Sequence, residues 1–299
     1  MRVAVTGTSG RIGRAIHFAL GHDQDVLGID RSLSSATAVL GDIGDSELLL
    51  RTFEGCDAVV HTAALHAPHV GILEDAEFHR VNVEGTKNVI RAARANGISQ
   101  LVFTSTTALY GHAVTADPEA AAWITEDTVP QPKSVYHETK LECEALLADA
   151  AGADLQITVL RMSRCFPEPA PLMAAYRLHR GIDARDVATG HRAALLNRVD
   201  KPYRLFILSG STPFEQSDLL ALKSDAAGVL RRRCPTLCRV FEDREWPLPA
   251  AIDRVYDASL AQRELGWRPN YGFDEVLRLL DSSICEVLPP QMAVRQVSE

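Results

Sequence analysis

The sequence predicts an α/β protein built on a doubly wound parallel sheet, with a smaller lobe formed mainly by the C-terminal third. Two observations carry that expectation. Short apolar runs alternate with longer stretches of helical periodicity over the first two thirds of the chain, as expected for strands buried on both faces by crossover helices. After about Leu208 the alternation loosens, and Pro213, Pro235, Pro247 and Pro249 interrupt helical stretches, which marks a change of architecture.

Taken in order, residues 2–6, 25–29, 58–61, 101–104, 157–160 and 205–208 read as buried strands. Residues 12–20, 76–95 and 136–150 carry apolar side chains at helical spacing. The expected division is a sheet domain over 1–160, to which 181–210 return, and a smaller lobe from 161–180 and 211–299. The stretch 112–134, which contains Trp123, reads as irregular and fits a lid over a site at the carboxyl ends of the strands.

The bulk numbers narrow the function. With 39 acidic residues against 31 Lys and Arg, the net charge is −8, so neither a polynucleotide nor an anionic membrane surface is an expected partner. The cationic runs at 231–233 and 177–185 read as solvated helix faces. No apolar run approaches the roughly 18 residues that span a bilayer, and no leader precedes the first strand. The six cysteines are scattered, without the paired spacings of a zinc site or a disulfide scaffold. A cytoplasmic protein with reduced thiols and no metal is expected.

The first strand runs directly into Thr6-Gly7-Thr8-Ser9-Gly10-Arg11-Ile12-Gly13 and then into a helix. Strand, glycine loop and helix in that order form a dinucleotide site, so the sheet is of the Rossmann type. Gly7 permits the tight turn, Gly10 lets backbone approach a pyrophosphate, and Gly13 lets the helix pack close, leaving its N-terminus facing the anion. Asp30 at the end of the second strand suits the ribose hydroxyls and repels a 2′-phosphate, which favours NAD. Arg31 and Arg11 keep NADP open, because either guanidinium could bind that phosphate.

Tyr136 and Lys140 lie four residues apart on one helix face. An ammonium beside a phenol favours the phenolate, lowering a pKa of about 10 toward the working range. Tyr136 is thus a candidate acid or base. Thr106, at the carboxyl end of the strand holding Thr104, is placed to hydrogen-bond a substrate oxygen, with Ser105 and Thr107 competing for that role.

These residues, with Asp42-Ile43, Val60-His61-Thr-Ala63-Ala64, Asn82-Val-Glu-Gly85-Thr86 and Arg161, resemble the extended short-chain dehydrogenase/reductase family, in its NAD-dependent epimerase/dehydratase branch, over nearly the whole chain. The resemblance implies that Asp42 and Ile43 flank the adenine, that Ala63 and Ala64 line the cofactor, and that Lys140 also holds the nicotinamide ribose. Ser9, Ile12, His61, Asn82 and Thr104 belong to the same candidate cofactor site. Thr106 falls where the family places its catalytic Ser or Thr, and helices 76–95 and 136–150 are those through which members pair as homodimers.

The family chemistry starts with hydride transfer between a carbinol carbon and nicotinamide. The Asp-Glu pair that a dehydratase adds after the catalytic Thr is replaced by Thr107-Ala108, which argues against dehydration. The 161–186 region is short for a nucleotide pocket, and 161–169 is similar to uronate dehydrogenases, except that Arg164 replaces a small residue. The expectation is an NAD(P)-dependent dehydrogenase or reductase on a small hydroxyl or carbonyl compound, such as a sugar or sugar acid. A nucleotide-sugar 4-epimerase is the alternative, and a non-catalytic dinucleotide sensor a second, for which Tyr136 and Lys140 would be superfluous. His66, Thr106, Thr107, Arg164 and Arg177 are the candidate substrate ligands; Arg180, His69 and His112 are weaker ones, and an ion pair is an equal reading for each arginine.

Overall fold

The computed structural model of the chain describes residues 1–113, 117–197 and 199–290. Its centre is a seven-stranded sheet in the order β3-β2-β1-β4-β5-β7-β8, every paired strand running parallel. The strands are β1 (Arg2–Thr6), β2 (Asp25–Asp30), β3 (Val39–Leu40), β4 (Ala58–His61), β5 (Gln100–Thr106), β7 (Gln156–Met162) and β8 (Tyr203–Leu208). Each predicted run lies within one of them. β6 (Ala122–Ile124) and β9 (Arg254–Tyr256) form a separate two-stranded parallel sheet.

The helices are α1 (Arg11–Leu20), α2 (Ser46–Thr52), α3 (Asp75–Phe78), α4 (Gly85–Ala95), α5 (Val135–Ala150), α6 (Ala170–Tyr176), α7 (Ala184–Leu196), α8 (Leu219–Ser224), α9 (Ala226–Arg233), α10 (Pro235–Asp243), α11 (Ser259–Leu265) and α12 (Phe273–Asp281). One sheet face packs on α2, α4 and α5 through Leu49, Phe53, Val89, Phe103 and Leu147. The other packs on α1, α7 and α11 through Val5, Ile16, Val187 and Ala261. Large side chains such as Phe53 and Phe103 are fully enclosed, each contributing about 1.5–3 kcal/mol by leaving water. A third apolar cluster, with Met173, Leu222, Val229, Leu237 and Val276, lies among α6, α8, α9, α10 and α12.

Two expectations need correction. The irregular stretch 112–134 contains β6, and the C-terminal region contributes β9 instead of helices alone. Neither could be read from pattern, because each strand has three residues and its partner lies more than a hundred positions away. Trp123 is an anchor of that pairing, its indole N–H donating to Asp257 at 3.1 Å; residues 114–116 of that stretch lie outside the described residues. The helix expected over 76–95 is interrupted by a π-helical turn, His79–Glu84, a distortion frequent at functional sites. It turns Asn82 toward the loop that follows β4.

Candidate active site

The glycine loop is shaped by close approach. Gly7 has φ +82°, and a Cβ there would stand 2.7 Å from the Ala63 nitrogen; one on Gly13 would fall 2.1 Å from the Gly7 carbonyl oxygen. Only glycine lets β1, the loop after β4 and α1 come together in this way. Gly10 caps α1 in extended conformation, with no side-chain cap and no acidic residue in the first turn. The unpaired first-turn amides therefore meet solvent at the positive end of the helix, as an anion site requires. Asp30 accepts the Ser9 and Ser32 amides, each at 2.9 Å, and the loop is thus tied to the end of β2. Each carboxylate oxygen keeps lone-pair capacity for a ribose hydroxyl. Arg31 is exposed, and Ile12, Ala63 and Ala64 are half-buried. Asp42 accepts the Gly44 amide at 2.7 Å and pairs with Arg80 at 3.4 Å, while the Ile43 side chain packs into the core. A glycine cradle, an uncapped helix start and a carboxylate at the β2 end together fit a dinucleotide.

Several expected cofactor ligands support the cleft from beneath it. His61 is fully buried, its ring nitrogens bonded to Thr6 at 2.7 Å and Thr86 at 3.1 Å; burial pushes it down to about 3, so it is neutral. Asn82 accepts the Leu65 amide at 2.8 Å and donates to the Leu65 carbonyl and Thr139, each at 3.1 Å. Its amide is spent on fixing the loop that contains Ala63 and Ala64. Thr104 turns its hydroxyl to His191 at 2.7 Å. The side chains of His61, Asn82 and Thr104, expected at the cofactor site, all turn into the protein, which leaves their backbone atoms as what they can offer a cofactor.

Tyr136 and Lys140 stand at the start of α5, against the carboxyl end of β5. The ladder between β4 and β5 stops at His61 opposite Phe103, and just beyond it the Thr104 carbonyl accepts the Lys140 ammonium at 2.7 Å. That ammonium also lies 3.8 Å over the Phe103 ring, a cation–π contact. The Thr106 side chain lies close enough to the Tyr136 phenol to lower its pKa. Of the three competing hydroxyls, Ser105 donates to Glu144 at 2.5 Å on the opposite pleat. Thr107 is buried, which removes it from the expected substrate ligands. Thr106 alone combines partial exposure with an influence on the phenol, whose pKa it lowers.

The electrostatics differ from the sequence expectation. Burial pushes the Tyr136 phenol up to about 12, the Thr106 side chain opposing it, where a lowered value was expected from the lysine. Burial also brings Lys140 down to about 8, against the pull of Cys143 and Glu144. The Lys140 ammonium is anchored at Thr104, two residues or roughly 7 Å along the strand from Thr106. In the free protein desolvation therefore outweighs the mutual effect of Tyr136 and Lys140.

Sequence reasoning missed the network beneath this pair. Glu144 takes Arg161 in an ion pair at 2.6 Å with both side chains nearly inaccessible. Arg161 donates onward to the Tyr110 hydroxyl at 2.9 Å, which donates to the Thr125 carbonyl at 3.0 Å. The signal was present, since Glu144 follows Lys140 at the spacing by which Lys140 follows Tyr136.

On the substrate side, His66 stacks on Phe166 with ring centroids 5.9 Å apart and meets His69 edge-on. Burial holds its imidazole below the usual range. Phe166, absent from the sequence-derived candidates, is partly exposed. Arg164 pairs with the buried Glu168, and its guanidinium lies over the rings of Phe166 and Tyr176. Arg177, expected to meet substrate, is 3% exposed and paired with Asp183 at 3.0 Å, so the ion-pair reading holds for it. Arg180 pairs with Asp253. His112 is exposed.

Sheet order, glycine loop and the Tyr136–Lys140 helix define a Rossmann-type dinucleotide fold with a candidate proton-transfer site at its carboxyl edge. The chain belongs to the NAD dependent epimerase/dehydratase family, whose model matches residues 3–171. An L-arabinose 1-dehydrogenase (NAD(P)(+)) of Haloferax volcanii is 39% identical over 165 residues, 52% of this chain and 64% of that enzyme. The chain thus spans just under two thirds of that relative. A UDP-glucose 4-epimerase of Corynebacterium glutamicum is 28% identical over 316 aligned positions, 91% of this chain and 92% of that protein. Among solved structures, a UDP-glucose-4-epimerase of Stenotrophomonas maltophila with bound NAD and formylated UDP-arabinopyranose shares the fold. Its TM-score is 0.68 at 22% identity, covering 93% of this chain and 96% of the other. Among the described residues, no helix is long and apolar enough to cross a membrane.

Proposed function

We propose that the protein is an NAD(P)-dependent dehydrogenase or reductase acting on a small hydroxyl or carbonyl compound of the sugar or sugar-acid type. The observation that carries this reading is the buried Lys140 ammonium, held on the Thr104 carbonyl at 2.7 Å one helical turn from the Tyr136 phenol. The arabinose dehydrogenase relative supports the substrate class, and Asp30 at the end of β2 supports NAD.

A bound dinucleotide supplies the hydride acceptor, and the chain supplies the rest. The α1 amides hold its pyrophosphate and Asp30 its adenosine ribose. Thr106 orients the substrate oxygen, and the Tyr136 oxygen takes its proton on oxidation and returns it on reduction. With its pKa near 12, the resting phenol is protonated at neutral pH and poised as the acid of carbonyl reduction. Lys140, near 8, is mostly cationic there and favours the phenolate in the reverse direction.

Incubation with NAD or NADP and a panel of aldoses and sugar acids, followed at the absorbance of the reduced cofactor, tests the reading. Net reduction of the cofactor is expected, and silence with every alcohol, aldehyde and sugar acid overturns it. A nucleotide-sugar 4-epimerase is the second reading, favoured by the full-length match to the Corynebacterium epimerase; it gives epimer without net cofactor reduction. Only seven residues of helix, α6, lie between β7 and α7, which leaves little chain to wrap a nucleotide.

A cytoplasmic homodimer belongs to this reading. α4 presents Arg91 and Arg94 to solvent and α5 presents Glu138, Glu142 and Asp149, and these opposite charges suit pairing of two copies. Light scattering on the eluting protein measures the mass.

A further inference from the structure

The amino end of α1 gathers more positive charge than its loop alone supplies. Arg11, the first residue of that helix, directs its guanidinium toward the C-terminal segment, where it pairs with Glu286 and lies within electrostatic reach of the Cys165 thiol. Arg177 lies within electrostatic reach of the same thiol and of Arg11. Its partner Asp183 is shared with Arg185 at 2.8 Å, so one carboxylate serves two guanidiniums. The Nε atoms of both Arg11 and Arg177 are buried without a hydrogen-bond partner, as is the Ser163 hydroxyl. Buried donors on two neighbouring guanidiniums, beside an uncapped helix start, suit an anion.

Glu286 reaches this place from the other lobe. Val287 is buried in the apolar cluster of α6, α8 and α12. The Leu288 amide donates to the Glu168 carbonyl, and its own carbonyl accepts the Ala170 amide, each at 3.0 Å. The short segment is thus fastened to the lobe while its carboxylate, 52% exposed, contacts a residue of the glycine loop.

We propose that Arg11 and Arg177 form an oxyanion clamp for the pyrophosphate of the dinucleotide, and that Glu286 occupies Arg11 in the free protein and gives way as the pyrophosphate arrives. This rests on the dinucleotide reading above and adds the ligands and the competitor. Arrival of the pyrophosphate exchanges one carboxylate for a more highly charged anion and releases the contact between the lobe and the glycine loop.

Calorimetric titration with ADP-ribose, and with adenosine as a probe lacking phosphate, tests the clamp. Glu286→Gln is expected to tighten ADP-ribose about two- to fivefold, the scale of a part-exposed ion pair, and to leave adenosine unchanged. Arg11→Gln is expected to weaken ADP-ribose about tenfold and to make Glu286→Gln silent in the double variant. Arg177→Lys should weaken ADP-ribose and spare adenosine. Should that variant not fold, a crystal structure of the unsubstituted protein with ADP-ribose decides, and an Arg177 guanidinium beyond hydrogen-bond distance of both phosphates overturns its role. An unchanged or weaker affinity in Glu286→Gln, or the same gain without Arg11, overturns the competition. Failure of every form to bind ADP-ribose overturns the dinucleotide reading as well, whereas binding without coupling overturns the clamp alone.

Discussion

The two sides of the cleft hold their charges differently. Along α5, Tyr136, Lys140 and Glu144 succeed one another by single helical turns, and the network they anchor closes on Arg161 and Tyr110 within the sheet domain. Across the cleft, Arg11, Arg177 and Arg164 find Glu286, Asp183 and Glu168, with Glu286 hundreds of positions from its partner. The first set is a rigid, enclosed scaffold under the reacting atoms. In the second, the Arg11–Glu286 pair is partly exposed and links the two ends of the chain, while Arg11 and Arg177 leave donors unspent. The contrast teaches that precision in proton transfer is built locally, while ligand capture uses groups that can exchange partners.

The contrast can be broken first at the phenol. Tyr136→Phe should lower kcat by about 10²- to 10⁴-fold while leaving the dinucleotide Kd unchanged, as measured by steady-state kinetics and calorimetry. Unaltered turnover would remove Tyr136 from the chemistry and return weight to the sensor reading.

Next comes the scaffold. Glu144→Ala leaves the Arg161 guanidinium buried without its carboxylate, and a loss of about 3–5 kcal/mol is expected in urea unfolding. An effect below 1 kcal/mol would show that the network is not the rigid element described.

The buried histidines sharpen the comparison through pH. His61 and His179 are lowered to about 3 and His191 to about 4, each chiefly by burial. Their folded values lie below the unfolded 6.5, so the unfolded chain binds protons first as pH falls. Their contribution is complete above 6.5 and is lost progressively below it, by up to about 1.4 kcal/mol per pH unit for each ring. Urea midpoints at pH 7.5, 6 and 5 measure this slope, and His191→Gln should make it shallower.

The smallest effect is expected at the mouth. Phe166→Ala removes the ring stacked on His66, worth about 0.5–1.5 kcal/mol. It should raise substrate KM about two- to tenfold with the dinucleotide Kd unchanged.

Legibility followed sequence distance. Strands such as β1 and β4 were plain because a parallel strand buried on both faces is an unbroken apolar run, and Tyr136 with Lys140 because helical spacing fixes a shared face. The inward turn of His61, Asn82 and Thr104 was not legible, since a motif does not state which way a side chain turns at a strand end or in a π-helical turn. The Tyr136 shift was misjudged because spacing reveals a neighbouring charge and conceals the loss of water. Glu286 depended on a contact with Arg11 from the other end of the chain, which no local pattern encodes.

The pairing of β6 with β9 has a mechanical consequence. The chain that leaves Thr106 must pass through β6 before it reaches Tyr136, and on the way it is stitched, rung by rung from Ala122 to Ile124, to a strand from the far end of the sequence. The hydroxyl and the phenol are therefore joined by a segment fastened at its middle to β9, whose Tyr256 packs in turn on Leu109 and Tyr110 beside the hydroxyl.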